Sequence, residues 1–384
     1  MIELRLLGTK CNIACQYCYQ NPLRDSGNGS SNYNLQETIQ RIDALDEPFI
    51  LWGGEPLLIK TEDLEELFKF GYDKYGKNQI LTNGSLCNDN HIELFKRYNV
   101  HVTVSVDGPE ELNDVRWNRT LSKTRESTKK STENLKKLLI HKVPTSLNFQ
   151  ITKCNSTKNR LPKMFNWLRS LDELGLQSAR IHVLEVDYSA PLYHHAFNSQ
   201  ENINAFIEYR MFERTLTNLR FDFFDNIREL LLGNDENSDC VWSACDPYTT
   251  EAVTGIDGQG RFNNCGNTDK EGINFQKPDQ VGYERYISLY YTPDKYGGCK
   301  DCRFFMFCKG QCPGTASKGD WRNKSENCAL FKALFETIEM ELIKEGKTPF
   351  SLSNQRKYIE KELLKLWTEG KNKRLNEIIE NLEH

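Results

Sequence analysis

The sequence has no apolar run near the roughly 18 residues that a membrane helix needs, and its longest are short stretches such as Phe49 to Trp52. No membrane partner is expected. An excess of one charge is missing too. Fifty basic against 54 acidic side chains leave a formal charge of −4, so there is no global electrostatic case for nucleic acid. Met1 to Lys10 lack the basic patch, apolar core and small-residue cleavage site of an export signal, and a cytoplasmic setting is expected. What the chain does have is a core-forming share of apolar residues, 38% of 384 positions, and 13 cysteines. So many thiols in a long chain without an export signal, and odd in number, point to metal or cluster ligation rather than to disulfides.

Short apolar runs alternate with longer helical patterns up to about residue 185. The strands expected are Glu3–Leu7, Phe49–Trp52, Gln79–Thr82, His101–Ser105, Thr145–Ile151 and Arg180–Leu184. Amphipathic helices are expected at Leu35–Leu45, Thr61–Tyr72, Asn90–Tyr98, Glu126–Leu139 and Leu161–Leu174. Parallel strands need crossovers of a dozen or more residues, which these helices supply. Six such units fall short of the eight that close a barrel, so the expected fold is α/β, a partial (β/α)6 TIM-like barrel. An irregular Cys-rich domain and C-terminal helices complete it. The expected segments are a barrel over 1–190, a helical linker over 191–235, the Cys-rich domain over 236–330 and C-terminal helices over 331–384. The polar, Gly-rich stretch 24–34 reads as a loop after the first strand.

Cys11, Cys15 and Cys18 form C-x3-C-x2-C directly after the first strand. Three thiolates on one tight loop can hold three corners of a cubane cluster and leave one iron open; zinc with a distant fourth ligand is the alternative. Tyr17 precedes Cys18, and Gly53-Gly54-Glu55-Pro56 ends the second strand. Together these elements resemble the radical S-adenosylmethionine (SAM) enzymes. The resemblance implies that Cys11, Cys15 and Cys18 ligate a [4Fe–4S] cluster whose open iron chelates the methionine amino and carboxylate groups. It places Tyr17 near the adenine and the Gly53–Pro56 turn against the methionine ammonium. Ser105 and Asp107, in Ser-Val-Asp-Gly-Pro, would contact ribose or carboxylate, although Asp-Gly-Pro is also a turn signal. Asn148 and Gln150 would contact adenosine or ribose. Asn83, in Leu-Thr-Asn-Gly, matches the family as well as a turn. The chemistry implied is reductive cleavage of SAM to a 5′-deoxyadenosyl radical, which abstracts a substrate hydrogen.

Cys299, Cys302, Cys308 and Cys312 give C-x2-C-x5-C-x3-C, with Cys328 beyond and Cys240, Cys245 and Cys265 upstream. This order resembles the SPASM extension of radical SAM enzymes that modify peptides and proteins. The resemblance implies two auxiliary [4Fe–4S] clusters, one on Cys240, Cys245, Cys265 and Cys312, the other on Cys299, Cys302, Cys308 and Cys328. With the SAM-binding cluster, three clusters use 11 of the 13 cysteines. Without Cys240 the first auxiliary cluster would keep an open iron. Cys87 and Cys154 remain as buried or incidental thiols.

Sulfatase maturases of this type carry an acidic base after the position of Cys265 and a His-Asp after the Asp-Gly-Pro turn. Here Gly266-Asn267 and Asn113-Asp114 stand instead, which favours a maturase of ribosomally made precursor peptides, crosslinking the peptide or excising or rearranging its backbone. A non-catalytic zinc or iron–sulfur scaffold is the rival of another class. The first strand opens the sequence, so a separate leader-recognition protein, or direct docking of the precursor peptide, is expected, with a flavodoxin or ferredoxin as electron donor. Glu185, Asp187 and Tyr188, beyond the sixth strand, are acid–base candidates or a solvated loop. Arg116 and Arg119 could grip the SAM carboxylate or a peptide, or form a cationic surface. His194-His195 reads as a surface loop.

Overall fold

The computed structural model describes residues 1–21, 32–184, 194–245, 253–269 and 282–381. Within them the chain folds as two compact units, Met1–Asp222 with Thr254–Gly266, and Phe223–Val253 with Asn267 to the C-terminus. Thr254–Gly266 therefore leaves the Cys-rich stretch of the sequence and joins the barrel.

The first unit is built on one open sheet. Its strands are β1 (Ile2–Arg5), β2 (Phe49–Leu51), β3 (Asn78–Thr82), β4 (Val100–Ser105), β5 (Thr145–Ile151), β6 (Ser178–Val183), β7 (Arg220–Phe221), β8 (Thr254–Asp257) and β9 (Phe262–Asn263). Their order is β7-β6-β5-β4-β3-β2-β1-β8-β9. All neighbouring pairs are parallel except β8 with β9. Six of these are the expected strands; β7, β8 and β9 are additions. The first strand starts and ends earlier than the expected Glu3–Leu7, because Leu6 and Leu7 lead into the turn where Gly8 N–H bonds the Arg5 carbonyl at 3.0 Å.

Helices α1 (Leu35–Leu45), α2 (Thr61–Tyr75), α3 (Asp89–Arg97), α4 (Leu121–Ile140) and α5 (Leu161–Glu173) cross between the strands. Asn34 and Asn88 cap α1 and α3 by accepting from the Glu37 and His91 N–H groups. Helix α4 begins five residues earlier than the apolar periodicity implies. Thr120 caps it by accepting from the Lys123 N–H, and its buried face there is Thr124 and Thr128, not aliphatic. A further helix, α6 (Ser199–Glu213), starts in a capping box between Asn198 and Glu201.

Alternation along the strands separates two faces. Ile80, Val102, Val104, Leu147, Phe149 and Ile181 are buried, as are Leu67, Phe68, Phe95, Leu138, Met164 and Leu168 on the helices. Each such side chain contributes roughly 1.5–3 kcal/mol on burial. The other face is polar. Ser105 pairs in register with Asn148, Asn148 with Arg180, and Gln150 with His182. That polar face is what the barrel has available for a ligand.

In the second unit, α7 (Asp222–Leu231), α8 (Glu284–Tyr291), α9 (Phe305–Cys308), α10 (Cys328–Lys344) and α11 (Arg356–Thr368) pack on aromatic residues. Trp242 is 1% exposed and its ring lies 5.5, 5.7 and 6.2 Å from those of Phe223, Phe335 and Phe331. Trp367 sits 5.4 Å from Tyr286. No described helix is long and apolar enough to cross a membrane.

Candidate functional site

The Cys11–Cys18 loop follows β1 and is pinned on two sides. Ala14 N–H bonds the Trp117 carbonyl and Gln16 N–H the Val115 carbonyl, both at 2.8 Å. On the other side Glu55 N–H bonds the Lys10 carbonyl at 2.9 Å. Gly54 makes that approach possible. Its φ is +51°, and a Cβ there would lie 2.0 Å from the Lys10 oxygen. The glycine turn is thus locked against the residue before Cys11.

Glu55 is fully buried and uses its carboxylate to tie β2 to β3. It accepts from Thr82 Oγ1 at 2.6 Å, Leu57 N–H at 3.0 Å and Asn83 N–H at 2.8 Å. Burial raises its pKa, with these hydrogen bonds acting against the rise. Pro56 opens the short 3-10 turn that follows. Asn83 donates to Asn12 Oδ1 at 2.8 Å, and Asn12 donates in turn to Ser85 Oγ at 2.9 Å. The third-strand turn is thereby bonded to the residue beside Cys11.

A second network crosses β4 and β5. Tyr17 donates to Asp107 Oδ2 at 2.6 Å, and Arg116 Nη1 donates to Tyr17 Oη at 2.7 Å while standing 3.8 Å from Asp107 Oδ1. Gln150 N–H donates to Asp107 Oδ1 at 3.0 Å. Asp107 is 1% exposed; burial raises its pKa, and the Arg116 guanidinium is the chief influence pulling it down. Burial disfavours the charge on Arg116, but Cys15, Tyr17 and Asp107 outweigh it and hold the guanidinium protonated. Burial also pushes the Cys15 thiol up to about 12, with Arg116 lowering it and Cys18 and Cys11 raising it. The three thiols therefore feel one another. Arg116 belongs to this interior network, not to a cationic surface, whereas Arg119 is exposed.

Two buried acceptors on β5 have no partner among the described residues: Asn148 Oδ1 and Gln150 Oε1. Ser105, Asn148 and Gln150 share the polar face, beside Asp107 and at the strand ends that follow the thiol loop. Unmet acceptors on that wall fit a ligand that brings its own hydroxyl and amino donors, as SAM does. The three thiols fit a cluster with one open position.

Sequence reasoning missed several members of this site. Asn155 is fully buried and its Nδ2 donates to the Asp107 and Gln150 carbonyls at 2.7 and 2.8 Å. Asn113 Oδ1 accepts the Asp107 N–H at 2.7 Å. Only the turn-forming residue types flagged them. His182 lies on the same strand face, and burial, then Arg180, push its pKa down to about 3, so it is neutral. Cys154 and His195, read as incidental, meet with Sγ and Nδ1 3.2 Å apart. Glu185, Asp187 and Tyr188 lie outside the described residues.

In the second unit Cys299, Cys302, Cys308 and Cys328 line one cleft of about 400 Å3, counted to its solvent mouth. Burial pushes the Cys299 thiol up to about 12, and the neighbouring thiols Cys328 and Cys302 add to the rise. Among the described residues no three His, Cys, Asp or Glu side chains converge as a single-ion site. Four thiols spread around one cleft suit a multinuclear cluster, whose ligands stand further apart than those of one ion. Cys240, Cys245 and Cys312 also belong to this unit, and Cys265 to the first. Tyr286 Oη anchors Cys245 by accepting its N–H and donating to its carbonyl.

The family model of the radical SAM superfamily matches residues 6–168. The chain is 24% identical to the cysteine-type anaerobic sulfatase-maturating enzyme of Clostridium novyi (strain NT), over 88% of this chain and 95% of that one. The cysteine-type enzyme of Clostridium perfringens (strain 13 / Type A) is 23% identical over 87% of this chain and 94% of its own length. Among solved structures, native anSMEcpe with bound AdoMet and Cp18Cys peptide gives a TM-score of 0.64 at 18% identity, covering 89% of this chain and 97% of that chain. Streptococcus suis SuiB bound to precursor peptide SuiA gives 0.54 at 14%, covering 85% and 75%. The structural likenesses carry the fold, and the family match covers the thiol loop, the Gly-Gly-Glu-Pro turn and the Asp107 network. The chain carries a radical SAM domain over residues 6–168.

Proposed function

We propose that the chain is a radical SAM/SPASM maturase acting on a ribosomally made precursor peptide. SAM on a [4Fe–4S] cluster would supply an oxidant able to take a hydrogen atom from an unactivated carbon. The chain's own part is to hold and orient. Cys11, Cys15 and Cys18 would ligate the cluster, with Glu55 fixing the glycine turn beside it. Arg116 keeps Asp107 and Tyr17 in one protonation pattern, and Asn148 and Gln150 present acceptors to the nucleoside. The eight later cysteines would carry two auxiliary clusters as electron acceptors, and a flavodoxin or ferredoxin would reduce the SAM-binding cluster. A separate leader-recognition protein would deliver the peptide.

The observation that carries the radical SAM half is the buried Tyr17–Asp107–Arg116 network beside the three thiols. The peptide half is supported at Gly266. A Cβ there would lie 2.3 Å from Trp52 Cη2 and 2.5 Å from Tyr19 Oη, and the Gly266 N–H already donates to Glu3 Oε2 at 3.1 Å. No acidic side chain of the sulfatase-maturase kind fits at that position. Sulfatase maturation stays the second reading, because the sequence likeness to such enzymes runs almost end to end.

Co-expression with short precursor peptides encoded beside the gene, followed by mass spectrometry, tests the proposal. Loss of two hydrogens marks a crosslink, loss of a larger fragment an excision, and uptake of solvent deuterium an epimerisation. Unchanged precursors together with an oxidised sulfatase-type cysteine or serine peptide would replace the first reading with the second.

A further inference from the structure

The thiol-lined cleft of the second unit contains a polar group with nothing to bond. Gln311 lines it, is 5% exposed, and its Nε2 is buried with no hydrogen-bond partner among the described residues. An unmet buried donor carries the full cost of its lost hydration. The backbone adds to that cost. Lys309, Gly310 and Gln311 are all left-handed, with φ of +49°, +74° and +64°, and two of the three are not glycine. The turn holds because Lys309 N–H bonds the Phe305 carbonyl at 2.8 Å, Gln311 N–H the Cys308 carbonyl at 2.9 Å, and the Gly310 carbonyl accepts Ser325 N–H at 2.9 Å. Strain concentrated between two cysteines, ending in an unpaired amide, is a feature to explain.

We infer that the Gln311 side-chain amide donates an N–H···S hydrogen bond to the cluster carried by Cys299, Cys302, Cys308 and Cys328, raising its reduction potential. The inference rests on the auxiliary-cluster reading of those four cysteines. Its physical basis is general. Reduction adds negative charge to the cluster, and donors and cations around the sulfurs stabilise that charge. The surroundings share the sign. Lys324, 12% exposed, and Lys332 lie on the cleft wall, paired with Asp294 at 2.5 and 3.1 Å. Arg285, buried at 2%, donates to the Trp321 and Asn323 carbonyls beside it. A cluster made easier to reduce suits the role of taking an electron from a substrate radical.

The test uses the full-length chain with Cys11, Cys15 and Cys18 replaced by alanine, reconstituted anaerobically so that only auxiliary clusters remain. Iron near eight per chain shows both clusters present. Gln311→Met, close in shape but without the amide, is expected to shift the reduction equilibrium of one cluster three- to tenfold toward the oxidised form, tenfold being ~59 mV for one electron. Pulsed EPR on the reduced protein carrying Gln311, grown with side-chain 15N-glutamine, is expected to show a 15N coupling that Gln311→Met abolishes. An unchanged potential in a fully loaded variant, or no 15N coupling, overturns the inference and leaves the cluster assignment standing. Failure to hold auxiliary iron at all overturns both. If Gln311→Met does not fold, the 15N measurement alone decides.

Discussion

Replacing Arg116 with methionine keeps the bulk of the stem and removes the charge that faces Asp107 and Tyr17. In the intact chain burial raises the Asp107 pKa, and Arg116 is the largest influence opposing the rise. A carboxyl with a raised folded pKa binds its proton more tightly when folded, so its contribution to stability falls as pH rises from the unfolded value through the folded one. Without Arg116 the folded value climbs further, and the window of falling stability extends toward neutral pH. Below the unfolded value, about 3.9, Asp107 is neutral in both states. The deficit there is the lost hydrogen bond to Tyr17, about 1 kcal/mol. Near neutral pH it grows toward the roughly 3–5 kcal/mol of an uncompensated buried charge, limited by proton uptake at ~1.4 kcal/mol per pH unit. Urea denaturation of cluster-free wild type and Arg116→Met across that pH range measures the difference. A deficit that does not change with pH would refute the assignment of Arg116 as the counter-charge.

Other substitutions test the remaining supports. Gly54→Ala and Gly76→Ala both place a side chain at positive φ, but only the first meets a backbone atom, Lys10 O at 2.0 Å, while nothing lies within 4 Å of the second. By denaturation Gly76→Ala should cost ~1–2 kcal/mol and Gly54→Ala about 2 kcal/mol more; equal costs would deny the locked turn. Asn155→Leu strands the Asp107 and Gln150 carbonyls and should cost roughly 3 kcal/mol, measured the same way. Thr120→Ala should lose ~1 kcal/mol if it caps α4. Cys328→Ala should lower bound iron by about four per chain, with Cys87→Ala leaving the iron assay unchanged.

The barrel was legible because its six strands are apolar runs separated by amphipathic helices, and α1 even keeps its boundaries at Leu35 and Leu45. Strand β8 was not. Thr254-Gly255-Ile256-Asp257 has one aliphatic residue, and its place is set by register against β1. The early start of α4 was hidden for a related reason, since its first buried turn is made of threonines. Motif spacing showed the thiols, the glycine turn and Asp107. It could not decide between Arg116 as a grip in the site and as a cationic surface, because only the fold brings residue 116 to Tyr17, nor show the meeting of Cys154 with His195 across 41 positions. Asn155 and Gln311 look like ordinary turn residues in sequence. What marks them is burial together with the bonds they make or lack.

The central claim is that this barrel activates SAM, and the most direct measurement is the product of that activation. Anaerobically reconstituted protein, reduced with dithionite, is incubated with SAM and assayed for 5′-deoxyadenosine by chromatography. Turnover dependent on protein and reductant is expected, with none from Cys15→Ala. A fully iron-loaded protein that leaves SAM intact under reduction would contradict the account.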